Sequence, residues 1–444
     1  MKSKLLSWLP SLPLLLLCLP TTAFAVCPDL TSYYPADESD WEVTRSELAG
    51  LFDECLLSSE FFALYGAAQL NTARLEDAIE SLERALLLDP DNGAALVDYA
   101  QALLQDGQLF SAIEANSLLL AREDVPENLL AAISVRQDEW VSLTRQTAWQ
   151  MDVMGGYDDN LNGAPDTDLI TLTLSGESVL LGLSPEFQAI SGPFLNVRLQ
   201  GRHRRLTPDN QHNFTAEIRG RLSEDSASDL AQFSTRYNLV HAVGRSSWQF
   251  SSRVNHLLFE GTPLFTGTDA SLRYQLPNNK GCRPYYGMAF QHQIWHEQSR
   301  LNGFETRLGL GTNCALLGAS NQRINGEFNL LHNGEVKEGR PGGSRAGWQF
   351  VLDWQYAFPR RGLLSAQFNH TRLRDQRGYS PLLSNNARRD TERNSFLLQY
   401  RENLPLLGPN AQFLVNLYHQ DQDNTLELFR MEDTSVELGI SWQF

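Results

Sequence analysis

Eight arginines recur between apolar residues in the carboxyl-terminal part of this 444-residue chain, and they are the largest set of side chains that could do chemistry. They are Arg198, Arg202, Arg204, Arg219, Arg221, Arg236, Arg253 and Arg273, which we call the arginine wall. On β-strands these positions share one face, opposite the apolar residues between them. Fixed positive charge lining a low-dielectric channel would attract an anionic or extended ligand.

The arginine wall also has a purely structural interpretation. Its guanidinium groups would pair with carboxylates of the same face or with an inserted loop, and hold that face rigid. Candidate partners are Glu217, Glu305, Glu327 and Asp353. We favour this interpretation because burying an arginine costs free energy unless an opposite charge compensates it.

Four cysteines follow the amino-terminal leader described below: Cys27, Cys55, Cys282 and Cys314. An even number of cysteines in an exported chain predicts disulfides. Pairing within each half of the chain, Cys27 with Cys55 and Cys282 with Cys314, is the simplest connectivity. No nearby partner favours a nucleophile or a metal site.

We found no arrangement of serine, histidine and carboxylate typical of a hydrolase. The nine histidines lie mostly inside strand patterns. We therefore predict no catalytic residue, no cofactor and no metal site, and the protein is not expected to be an enzyme. One alternative is that Asp158, Asp159, Asn160 and Asn162 coordinate calcium through their oxygens.

The elements that would position these residues are β-strands. From Thr147 onward, apolar and polar residues alternate in fourteen segments. The last segment places Val436, Leu438, Ile440, Trp442 and Phe444 on one face. This alternation and the even number of strands are typical of an outer-membrane β-barrel. Its terminal aromatic residues, Trp442 and Phe444, resemble the signal that the barrel-assembly machinery recognises.

The connections between these strands also favour a barrel, because such barrels have short turns on one side and long loops on the other. The longest segments are Leu161–Gly192, Gly334–Ser344 and Arg374–Arg389, and all follow outward-running strands. Within the first, Ile170–Leu174 and Val179–Leu181 predict a hairpin. That hairpin could fold into the barrel or stand outside it.

The amino-terminal part has the spacing of a tetratricopeptide repeat. The matching residues are Phe62, Tyr65, Gly66, Ala78, Leu82, Ala85 and Pro90, and a 34-residue shift reaches Leu96, Tyr99, Ala100, Gly107 and Ala112. The second copy departs at Asn116, where an apolar residue is usual. Flanking helices over Glu42–Leu57 and Glu127–Arg145 would cap the pair.

Charge separates the two parts of the chain. Residues 26–140 hold 23 acidic side chains and 5 arginines, whereas the remainder is nearly balanced. Such acidity either favours basic partners and discourages nucleic acid, or merely keeps the domain soluble. We expect a signal peptide at 1–25, a periplasmic helical domain at 26–145 and an outer-membrane barrel at 146–444.

The segment Gly155-Gly156-Tyr157-Asp158-Asp159-Asn160-Leu161-Asn162, at the entry to the barrel, resembles one in the surface lipoprotein assembly modulator family, called Slam. The order of signal peptide, short solenoid and fourteen-stranded barrel is similar too. This resemblance implies an outer-membrane translocation factor that helps deliver specific lipoproteins or secreted proteins to the cell surface. The solenoid would bind the client, and outer-membrane lipid would surround the barrel.

A polysaccharide exporter is the alternative, since such exporters also join tetratricopeptide repeats to a barrel. The small number of repeats speaks against it, whereas the arginine wall suits an anionic polymer. A passive porin would leave the solenoid without a purpose.

Overall fold

The computed structural model describes residues 26–37, 40–316, 321–359 and 362–444. The predicted signal peptide lies outside these ranges. Between Val141 and Ser142 the chain divides into two compact units, which we call the helical unit and the barrel. None of the described helices is long and apolar enough to cross a membrane.

Six α-helices make up the described part of the helical unit. They are α1 (Trp41–Ala49), α2 (Ser59–Asn71), α3 (Leu75–Leu88), α4 (Gly93–Gln105), α5 (Leu109–Leu120) and α6 (Glu127–Leu143). The first helix of each repeat begins at a polar cap. Ser58 Oγ accepts the Phe61 N–H at 3.2 Å, and Asn92 Oδ1 accepts the Ala95 N–H at 3.0 Å. Such caps satisfy backbone donors that the helix itself leaves free.

The repeat residues form the core of this unit, as predicted. Phe62, Ala78 and Leu82 are almost completely buried. A Cβ on Gly66 would lie 2.6 Å from Leu82 Cγ, so only glycine allows α2 and α3 to approach this closely. The tetratricopeptide spacing therefore specifies real helix packing.

The helix predicted over Glu42–Leu57 is shorter than expected. It ends at Ala49, where Gly50 follows, and the chain then turns. The turn brings Cys55 to Cys27, and their disulfide, predicted from the sequence, joins Cα atoms 4.7 Å apart. The local periodicity did not reveal that the segment must turn back to meet the amino-terminal residues.

Fourteen strands close into an antiparallel barrel, which confirms the predicted architecture. In chain order the strands are β1 (Arg145–Asp158), β2 (Leu169–Leu174), β3 (Glu177–Gly182), β4 (Gly192–Leu206), β5 (Asn210–Ser223), β6 (Leu230–Val243), β7 (Ser246–Phe259), β8 (Thr262–Gln275), β9 (Cys282–Trp295), β10 (Gly303–Ala315), β11 (Gln322–Glu335), β12 (Arg345–Phe358), β13 (Gly362–Asp375), β14 (Asp390–Asn403), β15 (Ala411–Asn424) and β16 (Met431–Gln443). Of the strands in the described ranges, β2 and β3 alone lie outside the barrel, as a separate hairpin. The barrel closes where β1 pairs with β16.

The barrel presents apolar side chains outward and polar side chains inward. Ile218, Leu308 and Leu310 are 52%, 55% and 63% exposed, although they belong to strands. Asp152 and Asn196, on the opposite face, are buried. This arrangement fits a barrel whose exterior contacts lipid.

The predicted hairpin forms from β2 and β3 and lies against two other loops at the same end of the barrel. The Thr173 N–H donates to the Leu382 carbonyl at 2.8 Å. The Thr171 N–H donates to Glu427 Oε2, also at 2.8 Å. We call this the long-loop end, and the hairpin is docked there by one backbone hydrogen bond and one bond to the Glu427 side chain.

The second predicted disulfide links Cys282, at the start of β9, to Cys314, near the end of β10. The two residues face each other directly in the strand register. They lie at the opposite end of the barrel, which we call the short-turn end.

Candidate functional site

Five members of the arginine wall form ion pairs inside the barrel. The pairs are Arg198 with Asp152, Arg219 with Glu437 (3.9 Å), Arg221 with Asp158 (3.3 Å), Arg253 with Asp269 (3.1 Å) and Arg273 with Glu327 (3.0 Å). Several of them reach over intervening strands, since Arg219 on β5 meets Glu437 on β16. For these five, opposite charge compensates much of the cost of burial.

Most of the carboxylates suggested from the sequence are used elsewhere. Glu305 pairs with Arg307 at 3.0 Å. Glu217 accepts a hydrogen bond from Gln200 at 2.8 Å, and Asp353 accepts one from Asn325 at 2.9 Å. Of the four suggested partners, Glu327 is the one that pairs with the arginine wall in the described part of the chain.

The other three arginines of the wall differ from these. Where the structure describes the chain, no carboxylate lies within ion-pairing distance of Arg202, Arg204 or Arg236. Arg202 donates to Gln200 Oε1 at 3.3 Å. Arg204 Nε is buried and has no hydrogen-bond partner. The wall is therefore partly neutralised, and its free charge is concentrated in one region.

That region borders a cavity of about 430 Å³ on the inner face of β4, β5, β6 and β7, which we call the interior cavity. Its lining includes Arg202, Arg236 and Arg253 together with amide side chains. A cavity of about 290 Å³ adjoins it and shares Arg236 and Arg253. Polar, basic side chains thus line a continuous stretch of the barrel interior.

The adjoining cavity contains a tightly connected polar group. Tyr285 Oη donates to Glu327 Oε2 at 2.7 Å, and the Arg273 guanidinium lies 4.0 Å from the centre of the Tyr285 ring. Arg273 also pairs with Glu327. Within this group the charges of Arg273 and Glu327 balance each other, whereas Arg202 and Arg236 in the interior cavity form no ion pair among the described residues.

The glycine-tyrosine-aspartate segment has a structural purpose at the end of β1. A Cβ on Gly156 would lie 2.7 Å from Phe194 Cζ, so glycine lets this aromatic ring lie across the strand. Asp158 accepts the Asn160 N–H at 2.8 Å and pairs with Arg221. Asn160 in turn accepts the Ala164 N–H at 2.8 Å. These bonds fix the start of the first long loop.

This geometry changes the set of residues that could coordinate calcium. Ligand oxygens of Asp158 and Asp159 lie within 4.8 Å of one on Asp433, a residue that the sequence did not suggest. The side-chain oxygens of Asn160 and Asn162 instead accept hydrogen bonds from the backbone N–H groups of Ala164 and Ile190. Strand pairing between β1 and β16 brings Asp433 to this position, and no local pattern indicates it.

The helical unit holds an unusual polar contact in its second repeat. Asn116, which departs from the repeat pattern, is fully buried and donates to the Ile133 carbonyl at 3.1 Å and to Gln137 Oε1 at 2.7 Å. Arg136 Nε donates to Asn116 Oδ1 at 2.8 Å. The polar residue is therefore explained by α6, which it holds against the repeat.

Asp98 on α4 is the most perturbed carboxyl of this helical unit among its described residues. Burial raises the pKa of Asp98 to about 6, and the positive charge of Arg136 opposes this shift. Nearby, Tyr99 Oη donates to Glu83 Oε1 at 2.9 Å. Acidic groups therefore occupy both the surface and the interior of the repeats.

Trp442 and Phe444 lie where the barrel closes. Trp442 faces Met151 in the register of β1 and β16. The Trp149 N–H donates to the Phe444 carbonyl at 2.7 Å. Recognition of these aromatic residues by the barrel-assembly machinery stays a prediction.

Comparisons with known proteins give separate similarities for the two units. Residues 72–133 match the family model of the tetratricopeptide repeat. The Yersinia enterocolitica type III secretion chaperone SycD, solved with a peptide of the translocator YopD, is 22% identical over 23% of this chain and 80% of its own, with a TM-score of 0.22. Among curated proteins, no sequence matches this chain.

Other solved structures are similar to the barrel. The anion-selective porin from Comamonas acidovorans is 10% identical, covers 68% of this chain and 99% of its own, and has a TM-score of 0.36. A bacterial polysaccharide outer membrane secretin is also 10% identical, over 67% of this chain and 98% of its own, with a TM-score of 0.34. These similarities concern the fold alone.

The geometry and the repeat match define the class of protein. It is a tetratricopeptide-repeat region joined to a closed fourteen-stranded barrel of the outer-membrane type. Its apolar exterior and polar interior are typical of barrels of this type.

Proposed function

We propose that this protein is an outer-membrane translocation factor that helps deliver specific lipoproteins or secreted proteins to the cell surface. The helical unit lies in the periplasm and binds the client polypeptide. The barrel-assembly machinery inserts the barrel into the outer membrane, and no catalytic step is involved. One observation carries the proposal: a tetratricopeptide unit and a closed barrel with a polar interior belong to the same chain.

The charge of the helical unit supports a polypeptide client. Tetratricopeptide solenoids usually bind peptides or proteins, and stacked repeats provide an extended surface for them. The 23 acidic side chains of residues 26–140 favour a client with basic patches and oppose anionic polymers. Glu76, Asp77 and Glu80 of α3 are exposed members of this set.

The entry segment of the barrel supports the proposed relationship with the Slam family. Gly155 to Asn162 resembles the Slam segment, and its side chains connect β1 to the first long loop. A loop fixed in this way has a defined position at the barrel mouth. Such a position suits a loop that meets a client during passage.

Deletion of the gene tests the proposal. We expect one polypeptide to disappear from the cell surface or the medium, and the full chain to restore it. An unchanged surface and extracellular protein profile would contradict a translocation function.

Two charge-reversal variants test where the client binds. E76K/D77K/E80K reverses three exposed carboxylates of α3, and we expect export of the same polypeptide to fall. The matched control E224K/E260K/E297K reverses three exposed carboxylates in loops of the barrel. Equal export by both variants would show that α3 does not receive the client.

Exopolysaccharide export is the second candidate, and the unpaired arginines favour it. Arg202, Arg204 and Arg236 would suit an anionic polymer, because guanidinium groups bind carboxylates in a fixed geometry. In this case the deletion strain would lose matrix sugar and keep its protein profile unchanged.

A further inference from the structure

Among the described residues, the lining of the interior cavity holds more positive than negative charge. Three guanidinium groups line it, those of Arg202, Arg236 and Arg253, against the single carboxylate of Glu217. Arg253 is compensated by Asp269 at 3.1 Å. Glu217 accepts a hydrogen bond from Gln200 at 2.8 Å. Neither Arg202 nor Arg236 forms an ion pair among the described residues, and the one charge of Glu217 offsets at most one of theirs.

The strand register increases this imbalance. Arg236 on β6 lies directly opposite Arg253 on β7. Like charges facing each other across paired strands destabilise a sheet. An anion placed between such groups would relieve the repulsion and gain charge-assisted hydrogen bonds. Both Arg202 and Arg236 are exposed to the interior, so a ligand can reach them.

The remaining lining suits a peptide backbone. Asn213, Gln232, Asn238 and Asn255 place amide groups around the arginines. Gln232 Nε2 donates to Asn255 Oδ1 at 2.7 Å, which holds one pair of amides in place. An amide side chain offers both a donor and an acceptor, as does each peptide unit of an extended segment.

We propose that the interior cavity is a binding subsite for the carboxylate groups of an extended, acidic polypeptide segment. Arg202 and Arg236 bind the carboxylates, and the amide side chains contact the peptide backbone. The proposal rests on the proposed function for its choice of a polypeptide ligand. Binding of an anion in the cavity, however, can be measured without transport.

Direct binding to the full-length protein in detergent micelles tests this subsite. The probes are synthetic decaglutamate and, as a neutral control of equal length, decaglutamine. We expect calorimetry at low salt to detect binding of decaglutamate and no binding of decaglutamine. The double variant R202Q/R236Q should weaken this binding by about tenfold or more, because each lost charge-assisted hydrogen bond contributes substantially.

Three controls make the result decisive. R245Q/R300Q removes two exposed arginines outside the cavity, and its affinity should change less than about twofold, because distant exposed charges are screened. R202K/R236K keeps the charge, shows whether the guanidinium geometry matters, and is expected to bind with intermediate affinity. Circular dichroism and heat-dependent gel migration confirm that each variant is folded.

Several outcomes would overturn the subsite. Equal affinity for decaglutamate and decaglutamine excludes carboxylate recognition, and an equal loss in R245Q/R300Q assigns binding to overall charge. Tighter binding of oligogalacturonate than of decaglutamate would replace the polypeptide by an acidic polysaccharide. The deletion experiment above fails or succeeds independently, since it measures export and not binding.

Discussion

The helical unit and the barrel bury opposite kinds of side chain. In the helical unit Phe61, Phe62 and Leu82 form a dry interior, and carboxylates cover the surface. In the barrel Asp152 and Asn196 are buried, and leucine and isoleucine residues are exposed. One chain can therefore fold against both water and lipid, because a helix separates apolar from polar residues with period 3.6 and a strand does so with period two.

The two units also differ in the sign of their exposed charge. The helical unit is strongly acidic, whereas the barrel interior has unpaired arginines at Arg202 and Arg236. A client handled by both would present basic groups to the first unit and acidic groups to the second.

We expect the greatest loss of stability from a substitution in the core of the helical unit. Leu82→Ala should lower the free energy of unfolding of that unit by about 2–5 kcal/mol, because Leu82 is completely buried against Gly66. Thermal unfolding of the full chain, followed by circular dichroism at the helix band, measures it. The control Leu87→Ala removes an 83% exposed side chain of the same helix and should have little effect. Equal losses would contradict the assigned core.

The inverted burial of the barrel is tested by placing one charge on each face of β5. Ile218→Arg puts a guanidinium on the apolar exterior and should cost about 2–4 kcal/mol in lipid vesicles. Thr215→Glu, three residues away, lines the interior cavity, faces Arg202 and Arg236 in the strand register, and should cost much less. Urea titration of the folded fraction compares them. Similar midpoints would mean that the outer face does not contact lipid.

Asn116 provides a test within the repeat itself. Asn116→Leu restores the apolar residue usual at this position, yet we expect it to destabilise the helical unit by about 1–3 kcal/mol, because the partners on α6 lose their bonds. Thermal unfolding of the full chain measures the change. A raised melting temperature would show that the repeat pattern outweighs the contact with α6.

The smallest expected effect concerns pH. Burial raises the pKa of Asp98 from 3.8 to about 6, so the folded helical unit binds this proton more tightly than the unfolded chain does. The resulting stability is fully present below pH 3.8 and is lost as pH rises through about 6. Between pH 5 and pH 7 the loss is about 1 kcal/mol.

Asp98→Asn isolates this contribution, because other titrating groups are common to both proteins. We expect the difference in melting temperature between Asp98→Asn and the unmodified chain to grow from pH 5 to pH 7, with the variant more stable at pH 7. A difference that is constant with pH would contradict the raised pKa.

Much of the fold could be predicted because its signals are local. The alternation in β1 and in β4 to β16 and the repeat spacing around Gly66 and Leu82 need only neighbouring residues, and both predictions are confirmed. The predicted length of α1 was wrong, because the turn after Gly50 depends on the disulfide between Cys55 and Cys27.

The candidate site could be predicted only in part. The parity of a strand indicated which arginines share the inner face, but not their partners. Arg219 meets Glu437, which is more than two hundred residues away in the chain, through closure of the barrel. Asp433 joins Asp158 and Asp159 for the same reason.

Residue types and their spacing along the chain were enough to predict the two periodicities, the division of charge and the presence of disulfides, with pairing within each half as the simplest connectivity. Tertiary structure decided which arginines are neutralised, where the β2–β3 hairpin docks and why Asn116 stands in a repeat. Those features depend on side chains from distant strands and helices, and only closure of the barrel and packing of α6 bring them within hydrogen-bonding distance.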